Sequence, residues 1–564
     1  MRSWRRTTSR MFCLSAVCLF ALSFADAQQQ KAKGSAAPTA KGTAIHITAQ
    51  AGAPGKPLVH YWSKVVGAGR ANEGLRATWQ EELETAARYG GFQYVRFHGL
   101  FHDDMFVYRE DGQGHPIYNF QYVDDLFDRM LSKGVRPFVE LGFSPGEMAT
   151  AKGTTMWWQA NGSPPKDYNK WAGLVRAAVE HWVARYGEGE VRKWYFEVWN
   201  EPNLDGFFFH GTQQQYFDLY KITAQTIKKV DSQLRVGGPV TSNFDLDEKA
   251  LKKARAAGKP FDPLAIPWHP IWIEEFLAYC KANNLPVDFV STHPYPSSYG
   301  DDDKTPAGLH FRRGVDSTRD DLRTLRRIVD ASPYPDAEIQ LTEWSSSPSP
   351  LDHTHDSLAA AAFIVKTNLD SIGLVDSLSY WVFTDVFEEN RLTDSVFHGC
   401  FGLINYQQIV KPAFHAYRFM NQLGDELIER VDGAVVTRDK ASGRLVALAY
   451  NYPVEEKIAL PETESVEAAD AIDASGSARE LNLHLRGLPA NASFLVETLD
   501  RQHGNAVAVW ESMGKPEPPN REQTRLLREA AWATQREVVR ADGAGNLDLH
   551  RAIAPWSLVL VKQL

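Results

Sequence analysis

Apolar positions recur along this chain in two rhythms, and the two alternate. Val123, Leu126, Phe127, Met130 and Leu131 follow the i, i+3, i+4, i+7, i+8 spacing of a helix face, and Gly134 stops them. Trp171, Leu174, Val175, Ala178 and Trp182 repeat the pattern before Gly187. Between such stretches lie short apolar runs with strand character at 58–62, 92–99, 136–143, 194–201, 234–240, 287–296, 337–346 and 377–385. Eight strand–helix units over this length predict a (β/α)8 TIM barrel, whose ligand site lies at the C-terminal ends of the strands.

After about Val410 the rhythm changes. Short alternating segments at 444–452, 481–488, 493–498 and 556–562 predict a C-terminal β-sandwich accessory domain. It carries one amphipathic helix from Arg521 to Trp532, with Asn520 as its cap. Extended residues near 45–47 are available to join that sheet. The expected division is therefore a barrel over 44–410 and a sandwich over 411–564.

Composition narrows the class. The 564 residues carry 12% aromatics and 16 Trp, which suits aromatic-lined ligand surfaces. A net charge of −9 without a long basic run argues against a nucleic-acid partner. At the N-terminus, Arg2, Arg5, Arg6 and Arg10 precede an apolar run at 11–24, and Ala25-Asp26-Ala27 follows as a small-x-small site. Residues 1–27 thus read as a secretory signal peptide, the apolar run being shorter than the ~20 residues a membrane span needs. Residues 28–43 read as a flexible leader. The mature chain is expected to be secreted or periplasmic, without a membrane anchor. Of its cysteines only Cys280 and Cys400 remain, read as buried thiols with a single bridge as the alternative.

The candidate chemistry begins at WYFEVWNEPN, where a strand-like aromatic run ends on Glu201. A carboxylate is costly to bury unless it is paired or used. Glu343 stands near the end of the seventh run, so two carboxylates face each other across one barrel mouth. That pairing suits glycoside hydrolysis, with one group as acid/base and the other as nucleophile or base. There is no P-loop, dinucleotide fingerprint or Gly-x-Ser-x-Gly elbow, and neither a cofactor nor triad chemistry is implied. Asp352-His353-Thr354-His355-Asp356 has metal-like composition but reads as a polar loop before a helix, so no metal site is expected.

Asn200-Glu201-Pro202 together with Thr342-Glu343-Trp344 resembles the (β/α)8 retaining glycosidases whose acid/base ends strand four and whose nucleophile ends strand seven. The run from Arg96 to Met105, Phe138 to Phe143, Ser291 to Pro296 and Trp381 to Glu389 resemble glycoside hydrolase family 39, the β-xylosidases and α-L-iduronidases. Phe397-His398-Gly399, Phe401 to Asn405 and Trp510 to Gly514 extend the resemblance into the C-terminal part, and the look is nearer to bacterial β-xylosidases. It implies Glu201 as acid/base and Glu343 as nucleophile in releasing xylose from non-reducing ends of β-1,4-xylo-oligosaccharides.

The remaining expected contacts follow. Asn200 binds the sugar 2-hydroxyl, and because strand alternation alone aims it away from Glu201, a bulge is expected there. His98 contacts sugar hydroxyls, and His293 and Tyr295 orient Glu343 or touch the sugar. Trp381 forms an aromatic floor. One of Glu388 and Glu389, with Glu388 favoured, binds the terminal sugar. Ile339, Leu341 and Glu343 share a face by period two. Trp344-Ser345-Ser346-Ser347 departs from the usual family β-xylosidase pattern, and 249–267 reads as an insertion near the mouth. The alternatives are the same mechanism on another sugar (a β-galactosidase, α-L-arabinosidase or α-L-iduronidase) and a non-catalytic secreted carbohydrate-binding protein. Glu388 and Glu389 disfavour the iduronidase, whose substrate carboxylate needs a cationic pocket.

Overall fold

The structure, a computed structural model, describes residues 43–153, 155–258, 267–298, 311–389, 395–460 and 463–564. Eight parallel strands close into a barrel: Val65–Arg70, Tyr94–His98, Arg136–Leu141, Tyr195–Val198, Arg235–Ser242, Phe289–His293, Glu338–Trp344 and Ser377–Tyr380. They are called here the first to eighth strands. Six of the eight lie within the expected runs, and the fifth overruns its run of 234–240 by two residues. The first lies outside its run: 58–62 leads into a 3-10 turn at Tyr61–Ser63, and the strand is the following segment VVGAGR. Its glycines hid it. A Cβ on Gly67 would stand 2.4 Å from Cε3 of Trp381, so the indole occupies the space that a strand side chain would fill.

Both helical patterns are realised. Gln121–Ser132 buries Val123, Leu126, Phe127 and Met130. Tyr168–Tyr186 buries Trp171, Leu174, Val175, Ala178 and Trp182, and the Asp167 side chain accepts from the Asn169 and Lys170 amides at its start. These faces pack with Ile339 and Leu341 of the seventh strand in one continuous apolar core.

The C-terminal part contains a seven-stranded and a three-stranded sheet. Ile45–Gln50 pairs in parallel with Arg479–Arg486 of the smaller sheet, so the chain enters through the accessory layer before it builds the barrel. Apolar residues of both sheets, among them Ile47, Val436, Leu483 and Val561, form a second core. Arg521–Trp532 forms with Asn520 capping the Gln523 amide, as the sequence indicates. It is not alone, and the expectation of a single helix is corrected. Val466–Asp473 and Ala506–Ser512 are further helices. Pro412–Met420, buried along its whole length, packs against Leu358–Asp370 and Ala77–Gly90 of the barrel's outer ring. With no exposed face it carries no amphipathic period to read. At the seam, Arg418 from this helix bonds Glu497 of the sandwich at 2.9 Å, and His415 Nε2 contacts the Ala531 carbonyl at 2.7 Å.

Cys280 and Cys400 are buried free thiols. No helix among the described residues is long and apolar enough to cross a membrane. The signal and leader at 1–42 lie outside the described residues, as does 259–266 of the 249–267 segment, whose first part forms the helix Glu248–Ala256.

Candidate active site

The site is assembled from inward-facing residues at the strand ends. Arg96 and His98 share the inner face of the second strand by period two. Arg96 is fully buried and uses its whole guanidinium. Nε donates to Glu197 Oε2 at 2.7 Å, Nη1 to Glu343 Oε1 at 2.6 Å, and Nη2 to Asn200 Oδ1 at 2.7 Å. Nη2 also stands 2.9 Å from Glu140 Oε2. One cation thus bridges the second, third, fourth and seventh strands, which suits Arg better than Lys because its donors lie in a fixed fork. His98 Nδ1 lies 2.7 Å from Glu140 Oε2, and its Nε2 faces Glu343 Oε1 at 3.4 Å and Glu389 Oε1 at 3.3 Å.

No ladder bulge marks the end of the fourth strand, contrary to expectation. Instead Trp199 and Glu201 take left-handed backbone at φ +76° and +41°, and Val240 opposite does so at +59°. The Glu201 amide donates to the Val240 carbonyl at 2.9 Å, so these turns are locked to each other. Asn203 adds a clamp, exchanging hydrogen bonds with the Ser242 backbone at 2.7 and 3.0 Å. Left-handed conformation at a β-branched Val is costly and persists only where the surroundings enforce it. Its result is that both Asn200 and Glu201 reach the centre.

The seventh strand is irregular too. Its pairing to the eighth shifts between Leu341 and Trp344. Period two would have kept Glu343 with Leu341, which packs into the helix-side core. The shift brings both Thr342 and Glu343 to the centre, where Thr342 Oγ1 donates to Glu197 at 2.8 Å and Tyr295 donates to Glu343 Oε2 at 3.2 Å. His293 Nδ1 is closer to Glu201 Oε1, at 2.9 Å, than to Glu343 Oε2, at 3.7 Å. Its orienting contact is therefore with Glu201 rather than Glu343.

These groups line a cavity of about 660 Å³ with His98, Glu201, Tyr295, Glu343, Trp381 and Glu389 at its base and Met156, Trp157, Phe207 and Pro348 above. Trp381 lies against His98 with ring centroids 4.9 Å apart. Asn200 and His293 stand behind the lining residues rather than among them, and Asn200 Nδ2 is buried without a partner, a donor still to be satisfied. Glu388 is not among the lining residues, and its expected sugar contact is corrected. Its carboxylate is held by Arg70 and Arg76, each at 2.7 Å. Glu389 is the neighbour that faces the cavity.

Burial raises the Glu201 carboxyl to about 7, with Ser242, His98 and Arg96 only partly opposing it. Burial also raises Glu343, but the Arg96 and His98 cations oppose it, and the short Arg96 bond favours its anion. His98 is a cation: burial disfavours its charge, yet Glu140, Glu389 and Glu343 raise it to about 10. Burial lowers His293 to about 4, so it is neutral. Two carboxyls in one cavity, one retaining its proton near neutrality and one held as an anion, can act as acid and nucleophile.

One donor atom each from Glu201, His293 and Glu343 lie within 4.8 Å of one another. His293 is hydrogen-bonded to Glu201, and Glu343 to Arg96 and Tyr295, which makes the cluster a proton-handling set. The Asp352–Asp356 loop is a structural knot. Asp352 accepts from Ser347 and Thr354, and Asp356 pairs with the buried Lys411 at 2.7 Å.

Arg96, Glu140, Glu197 and Thr342 have no assigned role in the sequence reading.

Known proteins resemble this chain over most of its length. The family described as "Glycosyl hydrolases family 39" matches residues 45–547. A β-xylosidase of Geobacillus stearothermophilus is 36% identical over 511 residues, 89% of this chain and 93% of that protein. The crystal structure of a glycoside hydrolase family 39 enzyme from Xanthomonas axonopodis pv. citri superposes with TM-score 0.80 at 33% identity, covering 93% of this chain and 98% of that one. A monomeric β-xylosidase from Caulobacter crescentus CB15 gives 0.78 at 32%, covering 92% and 99%.

Proposed function

The chain belongs to glycosyl hydrolase family 39, and on that premise we propose that it is an exported, retaining β-xylosidase removing xylose from the non-reducing ends of β-1,4-xylo-oligosaccharides. The observation that carries the mechanism is the closeness of the two carboxyls. Oxygens of Glu201 and Glu343 lie within 4.8 Å, near the roughly 5–5.5 Å of retaining enzymes and short of the roughly 6.5–9.5 Å that leaves room for a water in inverting ones.

In the first step Glu343 attacks the anomeric carbon and forms an ester, while Glu201 gives its proton to the departing glycosidic oxygen. In the second, Glu201 takes a proton from water as that water attacks the same carbon and releases Glu343. Asn200 Nδ2 is the free donor suited to the 2-hydroxyl, and Glu389 with the His98 imidazolium is suited to the outer hydroxyls. Trp381 underlies the ring. The sugar assignment is supported by the identity to β-xylosidases. A 2-fluoro-xyloside with an activated leaving group should trap an ester on Glu343, read by peptide mass spectrometry. A label on another carboxylate, or inversion at the anomeric carbon of the first product, would defeat this reading. A panel of aryl glycosides tests the sugar.

A further inference from the structure

We propose that His293 is a positioning residue that keeps the catalytic proton on Glu201 by presenting it with a bare Nδ1, and that Thr342 and Glu197 fix this tautomer. The inference rests on the acid role proposed above for Glu201.

The argument follows donors and acceptors outward from Arg96. Glu197 accepts from Arg96 Nε on one oxygen at 2.7 Å and from Thr342 Oγ1 on the other at 2.8 Å. A hydroxyl has one proton, and that of Thr342 is committed to Glu197. At its 2.9 Å contact with His293 Nε2, Thr342 can therefore only accept, so Nε2 carries the hydrogen. A neutral imidazole protonated on Nε2 is unprotonated on Nδ1. That bare Nδ1 faces Glu201 Oε1 at 2.9 Å. An ionised Glu201 would set lone pair against lone pair, so the contact requires one shared proton, placed either as Glu201 O–H···N or as N–H···O from an imidazolium.

The surroundings choose the first. From the second strand Arg96 and His98 face His293 as cations, from the fourth and seventh Glu197 and Glu343 face it as carboxylates, and Tyr295 lies beyond Glu343. Burial with the two cations outweighs the carboxylates and leaves His293 neutral. The arrangement also serves the second half-reaction. Once Glu201 has given up its proton, its carboxylate stands against a bare nitrogen, which increases its affinity for the proton of the attacking water.

Two measurements test this. In ¹⁵N-histidine NMR of the wild-type enzyme near neutral pH, the His293 ring, assigned by its loss in His293→Gln, is expected to be neutral and protonated on Nε2. An Nδ1–H tautomer or an imidazolium would overturn the proposal. This readout needs no substrate, so it stands or falls apart from the xylosidase reading, which the ester trap decides. In kinetics, Thr342→Val frees His293 to protonate on Nδ1 and donate to the Glu201 carboxylate. The basic limb of kcat/KM should then fall by about one pH unit or more, about tenfold in rate above the limb, and Thr342→Ser should restore it. An unmoved limb in Thr342→Val, or a shift that Thr342→Ser does not reverse, would also overturn it.

Discussion

Raising the pH through neutrality is expected to switch the reaction off by taking the proton from Glu201. Burial lifts this carboxyl from its ordinary 4.5 to about 7. That displacement corresponds to roughly 3 kcal/mol against the charged form. At pH 7 an ordinary Glu is protonated in about 0.3% of molecules and Glu201 in about half, a gain of ~150-fold in competent acid. For folding the sign is the opposite of a benefit. The unfolded group releases its proton near 4.5 and the folded one near 7, so this group costs stability as pH rises between them. The assay is kcat/KM from about pH 4 to about pH 9 on aryl xylosides with poor and good leaving groups. The basic limb should lie near 7, and the acidic limb, set by Glu343, above the usual carboxylate range because burial raises that group as well. Glu201→Gln should slow poor leaving groups most and lose the basic limb. A limb near neutrality that survives in Glu201→Gln would show that another group titrates there, and the reasoning would fail.

Glu389→Ala should lower kcat/KM on xylosides by roughly 10- to 150-fold through one lost charged contact of ~1.5–3 kcal/mol, with little change in melting temperature. Glu388→Ala should instead act on stability, by ~1.5–3 kcal/mol in denaturant titrations, because the buried Arg70 then keeps only Asp104 and the part-exposed Arg76 loses its carboxylate partner. At the seam, Arg418 and Arg536 hold the Glu497 carboxyl down to about 2 against burial. That stabilisation is present above the unfolded value near 4.5 and lost as pH falls through about 2, so Glu497→Gln should cost ~2–3 kcal/mol at pH 7 and progressively less in acid. A xylose-configured imino sugar, cationic at neutral pH, should bind at least about tenfold more tightly than xylose in calorimetric titrations, and equal affinities would count against the charge arrangement drawn here.

The sequence carried the barrel because seven strands leave apolar runs and their helices leave an amphipathic stripe. The first strand was silent because its small residues make room for Trp381, a partner more than 300 residues away. Glu201 and Glu343 were legible as carboxylates ending apolar strands, where no core needs them. Their surroundings were not. Which of Glu388 and Glu389 faces the cavity depends on Arg70 and Arg76, brought in from the other end of the chain. That Thr342 and Glu343 both turn inward depends on a register shift to the eighth strand, and that Asn200 and Glu201 do so depends on left-handed backbone. A period-two rule fails at such positions because it assumes the regular strand that the site has given up.

The density of charge at the centre then has a physical reading. Arg96 and His98 are two cations in contact with Glu140, Glu197 and Glu343, and Glu389 stands beside His98. With the proton on Glu201, the anions outnumber the cations even before Glu389 is included. Such an imbalance is costly in a buried space, and stability alone would favour neutral side chains of the same volume. It is useful when positive charge develops in the cavity, as it does on a sugar ring flattening toward an oxocarbenium ion. The two cations hold the carboxylates in place without cancelling them. Glu201 must stay neutral for the same reason that it must be an acid: one more anion there would raise the cost of the resting site, and one less proton would leave the departing oxygen uncompensated.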